Sequence, residues 1–281
     1  MRKTKYLVFC LIAAGSIFCI HELGANNMFN VKFSLGQNIV ETAKKSGAPR
    51  WSTRNIQGFI SYDLVGMPSD IPLVYQRPDY EVTAMPVYSF TMYADKERNN
   101  DLAVESTNLL FAADALTSHL SAKTFVEGLI SQFQRGKWKR HVDELCPAVS
   151  GRSSFLNEAG QAHRSWSCPL DPEYRLSPDD WIMLMYMEKS YEWLGDGVLA
   201  TLNIGYSDDI RGITYSIQLK FEDFAGRKRR DEMNRLRDLA EGDANGWKST
   251  ENEAKGIAER KRQIKVLEEN ALKRGDRVIS R

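Results

Sequence analysis

The sequence predicts an α+β fold in which helices pack on antiparallel sheets. Apolar and polar residues alternate over 198–206 and again over 213–221, on either side of a polar turn at 207–212, as in a half-exposed antiparallel hairpin. Apolar residues recur at helical spacing over 125–133. Each half of the chain offers antiparallel strands followed by a helix, which indicates two similar α+β units. Charged helices are expected after them, over 222–281.

Length and composition are those of an ordinary globular protein. The chain has 281 residues, of which 42% are apolar and 27% are charged. Lys and Arg total 38 and Asp and Glu total 37, so the formal net charge of +1 argues against a dedicated nucleic-acid binder. No apolar run is long enough for a multi-pass membrane protein.

Residues 1–25 are predicted to be a signal peptide or an N-terminal membrane anchor. Three cations precede Tyr6, and the 15 residues 6–20 carry no charge. As a helix this stretch would measure about 22 Å, whereas a hydrocarbon core is about 30 Å thick. Cleavage after Ala25 is one alternative, and retention of 6–20 in the inner membrane is the other. Both place the remaining chain in the periplasm.

Export determines how the cysteines are interpreted. Cys10 and Cys19 lie in the signal, so the exported part keeps the pair Cys146 and Cys168. Such a pair in an oxidising compartment favours one disulfide. The bridge would close a loop of 22 residues and stabilise the fold by about 3 kcal/mol. No C-x-x-C spacing exists and the histidines are scattered, so we expect no metal and no cofactor.

Three segments of the first half have strand composition. The segments 55–64, 88–94 and 102–111 are rich in apolar, aromatic or β-branched residues. A polar turn at 95–101 separates the last two, so we expect them to pair as a hairpin.

Two helix boundaries follow from local signals. Ser121 is predicted to open the first helix and Gly136 to end it, after which the cations of 137–140 complement the helix dipole. Alternatively, this basic run with its tryptophan contacts an anionic surface. Ser177 is predicted to cap a second helix, with a proline at its first position. Two aspartates occupy its first turn, where the dipole explains them, so we assign them no catalytic role.

The last two helices are predicted over 224–240 and 251–273, with a break at 242–246. Their apolar stripes are thin, so they pair with each other, pack on the body or project as a stalk. The cationic run 227–230 could attract lipid head groups or an acidic partner. We favour a solvated helix face, because two acidic residues follow the run at once.

These elements divide the chain into four parts. They are the signal or anchor at 1–25, a first α+β unit at 26–140, a second unit with the disulfide at 141–221 and the charged helices at 222–281.

Motifs of common enzymes are missing from the sequence. Phosphate-binding loops, the H-E-x-x-H pattern of metalloproteases outside the signal and the G-x-S-x-G pattern of serine hydrolases are not found. A glycosidase needs only two carboxylates, which spacing does not exclude. Candidates for such a pair in the loop-rich middle are Asp171, Glu173, Glu192 and Asp196.

Recognition of a partner by surface residues is therefore the first hypothesis. Aromatic and arginine side chains often anchor protein interfaces. We expect four such residues to contact a partner, namely Trp138, Arg152, Trp166 and Trp193.

Four phrases of the sequence carry a resemblance. They are GKWKR at 136–140, CPAVSGRSSFLNEAG at 146–160, GDGVLA at 195–200 and ENALKRGD at 269–276. These phrases resemble uncharacterised exported proteins of Gram-negative bacteria, some of which accompany type VI secretion effectors, especially lipase-like ones, as immunity or accessory proteins. The resemblance implies a protein partner and transfers no catalytic residue.

The sequence thus predicts a non-enzymatic envelope protein that binds another protein, such as a lipase-like effector that it neutralises in the periplasm. One alternative is a hydrolase that acts on an envelope polymer through a carboxylate pair. Another is a structural or assembly factor of the envelope that docks through its C-terminal helices.

Overall fold

The fold combines two β-sheets with five helices in the part of the chain that the structure describes. A computed structural model of the protein describes residues 30–48, 50–156, 168–185, 189–210 and 212–280. The strands are β1 Val31–Phe33, β2 Ser52–Ile56, β3 Phe59–Val65, β4 Leu73–Tyr75, β5 Val82–Ala84, β6 Val87–Asp95, β7 Ser106–Phe111, β8 Lys139–Arg140, β9 Lys189–Gly195, β10 Val198–Asp209 and β11 Gly212–Asp223. The helices are α1 Ile39–Lys45, α2 His119–Arg135, α3 Pro178–Met185, α4 Phe224–Ala244 and α5 Ser249–Lys273.

Eight of these strands form one sheet in the order β2-β3-β6-β7-β11-β10-β9-β8, with every neighbouring pair antiparallel. The other three form a small sheet, β1-β4-β5, in which β1 and β4 run parallel. These sheets and their packed helices confirm the predicted α+β class.

The predicted hairpin of the second half is confirmed and is longer than expected. Its strands β10 and β11 pair without a break from Val198 opposite Asp223 to Asp209 opposite Gly212. The division at residue 140 does not separate two sheets, however. Strand β7 of the first half pairs with β11 of the second half, with Leu109 opposite Leu219. The two predicted units therefore share one sheet, because each half supplies an edge strand that completes the other.

Alternation along the strands gives the large sheet an apolar and a polar face. Leu219 and Phe221 of β11 are buried in the same core as Phe133 of α2. Lys220 stands between Leu219 and Phe221 on β11 and is paired with Thr201 of β10. Both Lys220 and Thr201 therefore lie on the opposite, polar face. Helix α4 begins directly after β11, so its first turns lie beside this polar face.

Two predicted boundaries need correction. The segment 55–64 was expected to be one strand, but it contains the turn of a hairpin between β2 and β3. Gln57 and Gly58 have φ values of 50° and 83°, as a tight two-residue turn requires. The first helix starts earlier than expected because Ser118 is its N-cap. Ser118 and Ser121 bond reciprocally, backbone N–H to hydroxyl, both at 3.1 Å.

The second C-terminal helix, α5, packs on the body of the protein and does not project as a stalk along its whole length. In α5, Ile264 and Ala271 are buried. Arg260 Nε donates a hydrogen bond to the Leu145 carbonyl at 2.9 Å, and the backbone N–H of Ala148 donates to Glu268 Oε1 at 3.0 Å. The contact therefore involves the loop that holds the cysteines. No helix of the described ranges is both long and apolar enough to cross a membrane.

Cys146 and Cys168 lie at the two ends of the loop on which α5 packs. The Cα atoms of Cys146 and Cys168 are 5.7 Å apart, which is the separation typical of a disulfide. The structure confirms that the pair can form the predicted bridge. Beyond α5, the backbone N–H of Ile279 donates to the Ala148 carbonyl at 2.7 Å, so the chain after α5 lies along the same loop.

We expect replacement of both Cys146 and Cys168 by serine to lower the free energy of unfolding by about 3 kcal/mol, because the unfolded chain regains the entropy of an open 22-residue loop. Urea titrations with and without reductant measure the effect. Reductant should destabilise the wild-type protein to the level of the double variant and leave the variant unchanged. An unfolding midpoint of the wild-type protein that ignores reductant would contradict the bridge.

Candidate functional site

Ion pairs hold the start of α4 on the polar face of the sheet. Glu222 at the end of β11 is 6% exposed, and its carboxylate lies 2.8 Å from Lys220 Nζ, 3.6 Å from Arg227 Nη1 and 3.3 Å from Arg230 Nη2. Arg230 also reaches Glu105 at 3.5 Å. A buried carboxylate requires such compensation. The prediction of a solvated helix face for 227–230 is therefore wrong for Arg227 and Arg230.

A polar cavity of about 450 Å³ lies between α4 and the sheet. We call it the sheet cleft. Its residues are Glu192, Thr201, Asn203, Lys220 and Glu222 on the sheet and Arg227, Arg230 and Asp231 on α4. All eight are polar, and the three acidic and three basic side chains balance in formal charge. The cleft can therefore recognise a polar or charged group and offers little to an apolar one.

Two neighbouring side chains of the sheet cleft have unused hydrogen-bonding capacity. Thr201 is 8% exposed, and its Oγ1 has no hydrogen-bond partner among the described residues. Glu192 lies directly opposite it on β9. In the described part of the chain, the basic side chain within 4.0 Å of the Glu192 carboxylate is His141, through Nε2. Burial raises the pKa of Glu192, Arg227 opposes the shift, and Asp143 and Glu222 add to it.

His141 does not supply a compensating charge. Burial lowers the pKa of its imidazole, with Asp143 opposing and Arg227 and Lys228 reinforcing the shift. The lowered pKa favours the neutral form of the His141 imidazole. The Glu192 carboxylate is therefore without a close cation in this part of the fold.

A larger groove of about 980 Å³ lies on the other side of the first turns of α4. We call it the α4 groove. Leu35, Val104 and Val198, which are nearly buried, form its apolar floor. Its charged side chains have both signs, with Lys228 and Arg229 among the cations and Glu105, Asp196, Asp223 and Glu232 as acids. The groove is open to solvent and combines apolar surface with a charged rim.

The outward cations of α4 are weakly compensated. The Arg229 side chain is 71% exposed, and its contact with Asp223 is 3.9 Å long. Lys228 is exposed and lies 4.9 Å from the centre of the Phe224 ring. Met233 and Leu236 follow on the same helix and are both more than half exposed. This stretch of α4 is thus a cationic and apolar surface beside the α4 groove.

The structure places the predicted partner-binding tryptophans differently from the expectation. Trp193 is 2% exposed and stacks on Phe133 with ring centres 4.0 Å apart. Trp138 is also buried, 5.3 Å from the same phenyl ring. Both indoles pack in the core, so the role predicted for them as surface anchors is corrected. Trp166 lies outside the described residues.

Arg152 is the predicted partner residue that remains at the surface. Its side chain is 58% exposed, and Nη2 donates to Asp180 Oδ1 at 2.8 Å. Asp180 is buried in the first turn of α3. The ion pair therefore gives Arg152 a role in holding the loop after Cys146 against α3.

Three of the four candidate carboxylates have structural partners. Asp171 accepts from the backbone N–H of Gly151 at 2.7 Å, Asp196 pairs with Arg77, and Glu173 lies 3.4 Å from Arg277. Glu192 alone lies in the sheet cleft, where the neighbouring acid is Glu222. Sequence reasoning missed Glu222, although it falls in phase with Lys220 on the polar face of β11. Its three cations already engage it, which leaves it poorly placed to act as a second catalytic carboxylate.

Within the described ranges, no group of three or more His, Cys, Asp or Glu side chains could hold a metal ion. No protein-family model, no curated protein and no solved structure matches this chain.

We expect Glu192→Gln to raise the Tm by about 2 °C at pH 7 and to change it little at pH 4. The pKa of Glu192 is raised from 4.5 by folding, so the folded state keeps the proton in a pH window where the unfolded chain has lost it. Stability conferred by the neutral form is therefore present below pH 4.5 and is lost as the pH rises through the folded pKa. The side-chain amide of the Glu192→Gln variant does not ionise, so the variant does not lose stability as the pH rises.

Thermal unfolding at both pH values measures this effect. Glu81→Gln is the matched control, because Glu81 is an exposed acid that does not line the sheet cleft. A Glu192→Gln protein that is less stable than the wild type at pH 7 would contradict the proposed cost of ionising Glu192.

Proposed function

We propose that this protein is an exported binding protein of the cell envelope that captures another protein without catalysis and neutralises a type VI secretion effector delivered to the periplasm. The observation that carries the proposal is the α4 groove with its rim of weakly compensated cations and exposed apolar side chains. An immunity protein must bind tightly and needs no chemistry of its own.

Two features support the compartment. Residues 1–25 have the cationic start and the short uncharged stretch of an export signal. Cys146 and Cys168 are 5.7 Å apart at Cα, and a structural bridge between them would persist in an oxidising compartment.

The α4 surface supports a partner of particular chemistry. Lys228 and Arg229 present positive charge to solvent, whereas Arg227 and Arg230 are engaged with Glu222. A partner segment that carries acidic residues beside apolar ones would pair with these two exposed cations and cover Met233. Charge complementarity of this kind accelerates association and fixes the orientation of the partner, while apolar burial supplies much of the affinity.

The experiment is co-expression in the periplasm with the toxin encoded by the neighbouring gene. We expect the wild-type protein to restore growth and the double variant Arg229→Glu with Met233→Glu to fail. With purified proteins, the double variant should bind the toxin at least about tenfold more weakly, because it places two negative charges against an acidic segment.

Arg262→Glu is the matched control, since Arg262 is an exposed arginine on α5, with 76% of its side chain accessible, away from the groove. It should protect as the wild type does. Toxicity that the wild-type protein leaves unrelieved would defeat the proposed neutralisation, and equal protection by the double variant would exclude the α4 groove as the binding surface.

A further inference from the structure

We propose that the sheet cleft is a binding site for a primary ammonium group, held by Glu192, Thr201 and Asn203. This site is separate from the α4 groove and does not depend on the proposed capture of an effector. The ligand is either the side chain of a lysine on a partner protein or a small polyamine, since both present the same group.

Strand register brings the three side chains together. Thr201 on β10 lies directly opposite Glu192 on β9. Asn203 is two residues further along β10, so it lies on the same face of the sheet as Thr201. All three line the sheet cleft.

Each of the three side chains keeps an oxygen that can accept a hydrogen bond. Thr201 is nine-tenths buried, and its Oγ1 has no partner within the described residues. A buried hydroxyl without a partner costs free energy, so a group that supplies a donor at this point stabilises the bound state. Asn203 donates through Nδ2 to Gln218 Oε1 at 3.4 Å, which leaves its carbonyl oxygen as an acceptor. The Glu192 carboxylate adds the third acceptor.

The distribution of charge selects a cation. Lys220 is committed to Glu222 at 2.8 Å, and Arg230 is shared between Glu222 and Glu105. Arg227 lies between Glu222 at 3.6 Å and Asp231 at 3.5 Å. The carboxylate of Glu192 is thus the acid of the cleft that these cations do not contact, and neutral His141 does not compensate it.

The geometry of the acceptors selects a primary amine among cations. An ammonium group has three N–H donors and no acceptor, so it can donate to the Glu192 carboxylate, the Thr201 hydroxyl and the Asn203 carbonyl. A trimethylammonium group carries the same charge but has no N–H, so it cannot satisfy Thr201. A carboxylate or phosphate ligand would meet the Glu192 carboxylate and be repelled.

The test titrates the mature protein with three probes, namely N-acetyl-lysine methylamide, its trimethylated analogue and spermidine, and follows binding by calorimetry and by NMR shifts. We expect both amines to bind and the trimethylated analogue to bind at least about tenfold more weakly, because charge-assisted hydrogen bonds are lost. Comparable affinity for the two amines indicates that a single lysine suffices. A much higher affinity for spermidine identifies a polyamine as the ligand. Both outcomes support the ammonium site.

Variants locate the binding. Glu192→Gln should weaken binding of both amines about tenfold or more, Thr201→Val should weaken it by a smaller factor, and the control Glu81→Gln should leave it unchanged. Circular dichroism checks that each variant is folded, and Thr201→Val preserves the shape of the side chain if Glu192→Gln does not fold. The proposal is overturned if neither amine binds, if the trimethylated analogue binds equally well, or if both Glu192→Gln and Thr201→Val bind as the wild type does.

Discussion

The arrangement of the molecule around its polar sheet face depends on the compensation of one buried carboxylate. Glu222 stands at the end of β11, two residues before α4 begins, and it meets three cations. A charge at this depth is tolerated only when it is paired. Because two of its partners come from the first turns of α4, the pairing sets the direction in which that helix leaves the sheet. The sheet cleft and the α4 groove both exist as spaces on either side of the helix held in this way.

This anchoring divides a single basic run into two functional parts. Arg227 and Arg230 are three residues apart, so they project from one face of α4 toward the sheet. Lys228 and Arg229 project elsewhere and remain exposed. A run that looks uniform in the sequence therefore supplies ion-paired charge on one side of the helix and solvent-exposed charge on the other.

Local sequence patterns predicted the long helices and the long hairpin well. The remaining elements depend on pairing between residues far apart in the sequence, which a local pattern does not show. The hairpin of β10 and β11 and the helices near 119–135, 224–244 and 249–273 follow from periodicity and caps. Strands of two or three residues, such as β8, carry too few positions for a pattern. The joining of β7 to β11 depends on residues more than 100 positions apart, so the two halves looked like separate units.

The candidate site shows the same limit. Composition identified Trp193 and Glu192 as notable residues, but their roles depend on which face of β9 each occupies. Neighbouring positions on a strand point to opposite faces, so Glu192 reached the cleft and Trp193 the core. Glu222 could be recognised only in the structure, where it lines the same cleft as Glu192.

The loop between the cysteines is completed by a segment far away in the chain. The backbone N–H of Ser150 donates to the Arg277 carbonyl, and the backbone N–H of Arg277 donates to Ser150 Oγ, across 127 residues. Val149 and Val278 form a β-bridge beside them. Contacts of such separation form late, because a long intervening loop must first be closed. During folding, the backbone of residues 148–150 therefore gains these partners only after residues 274–279 have docked on it.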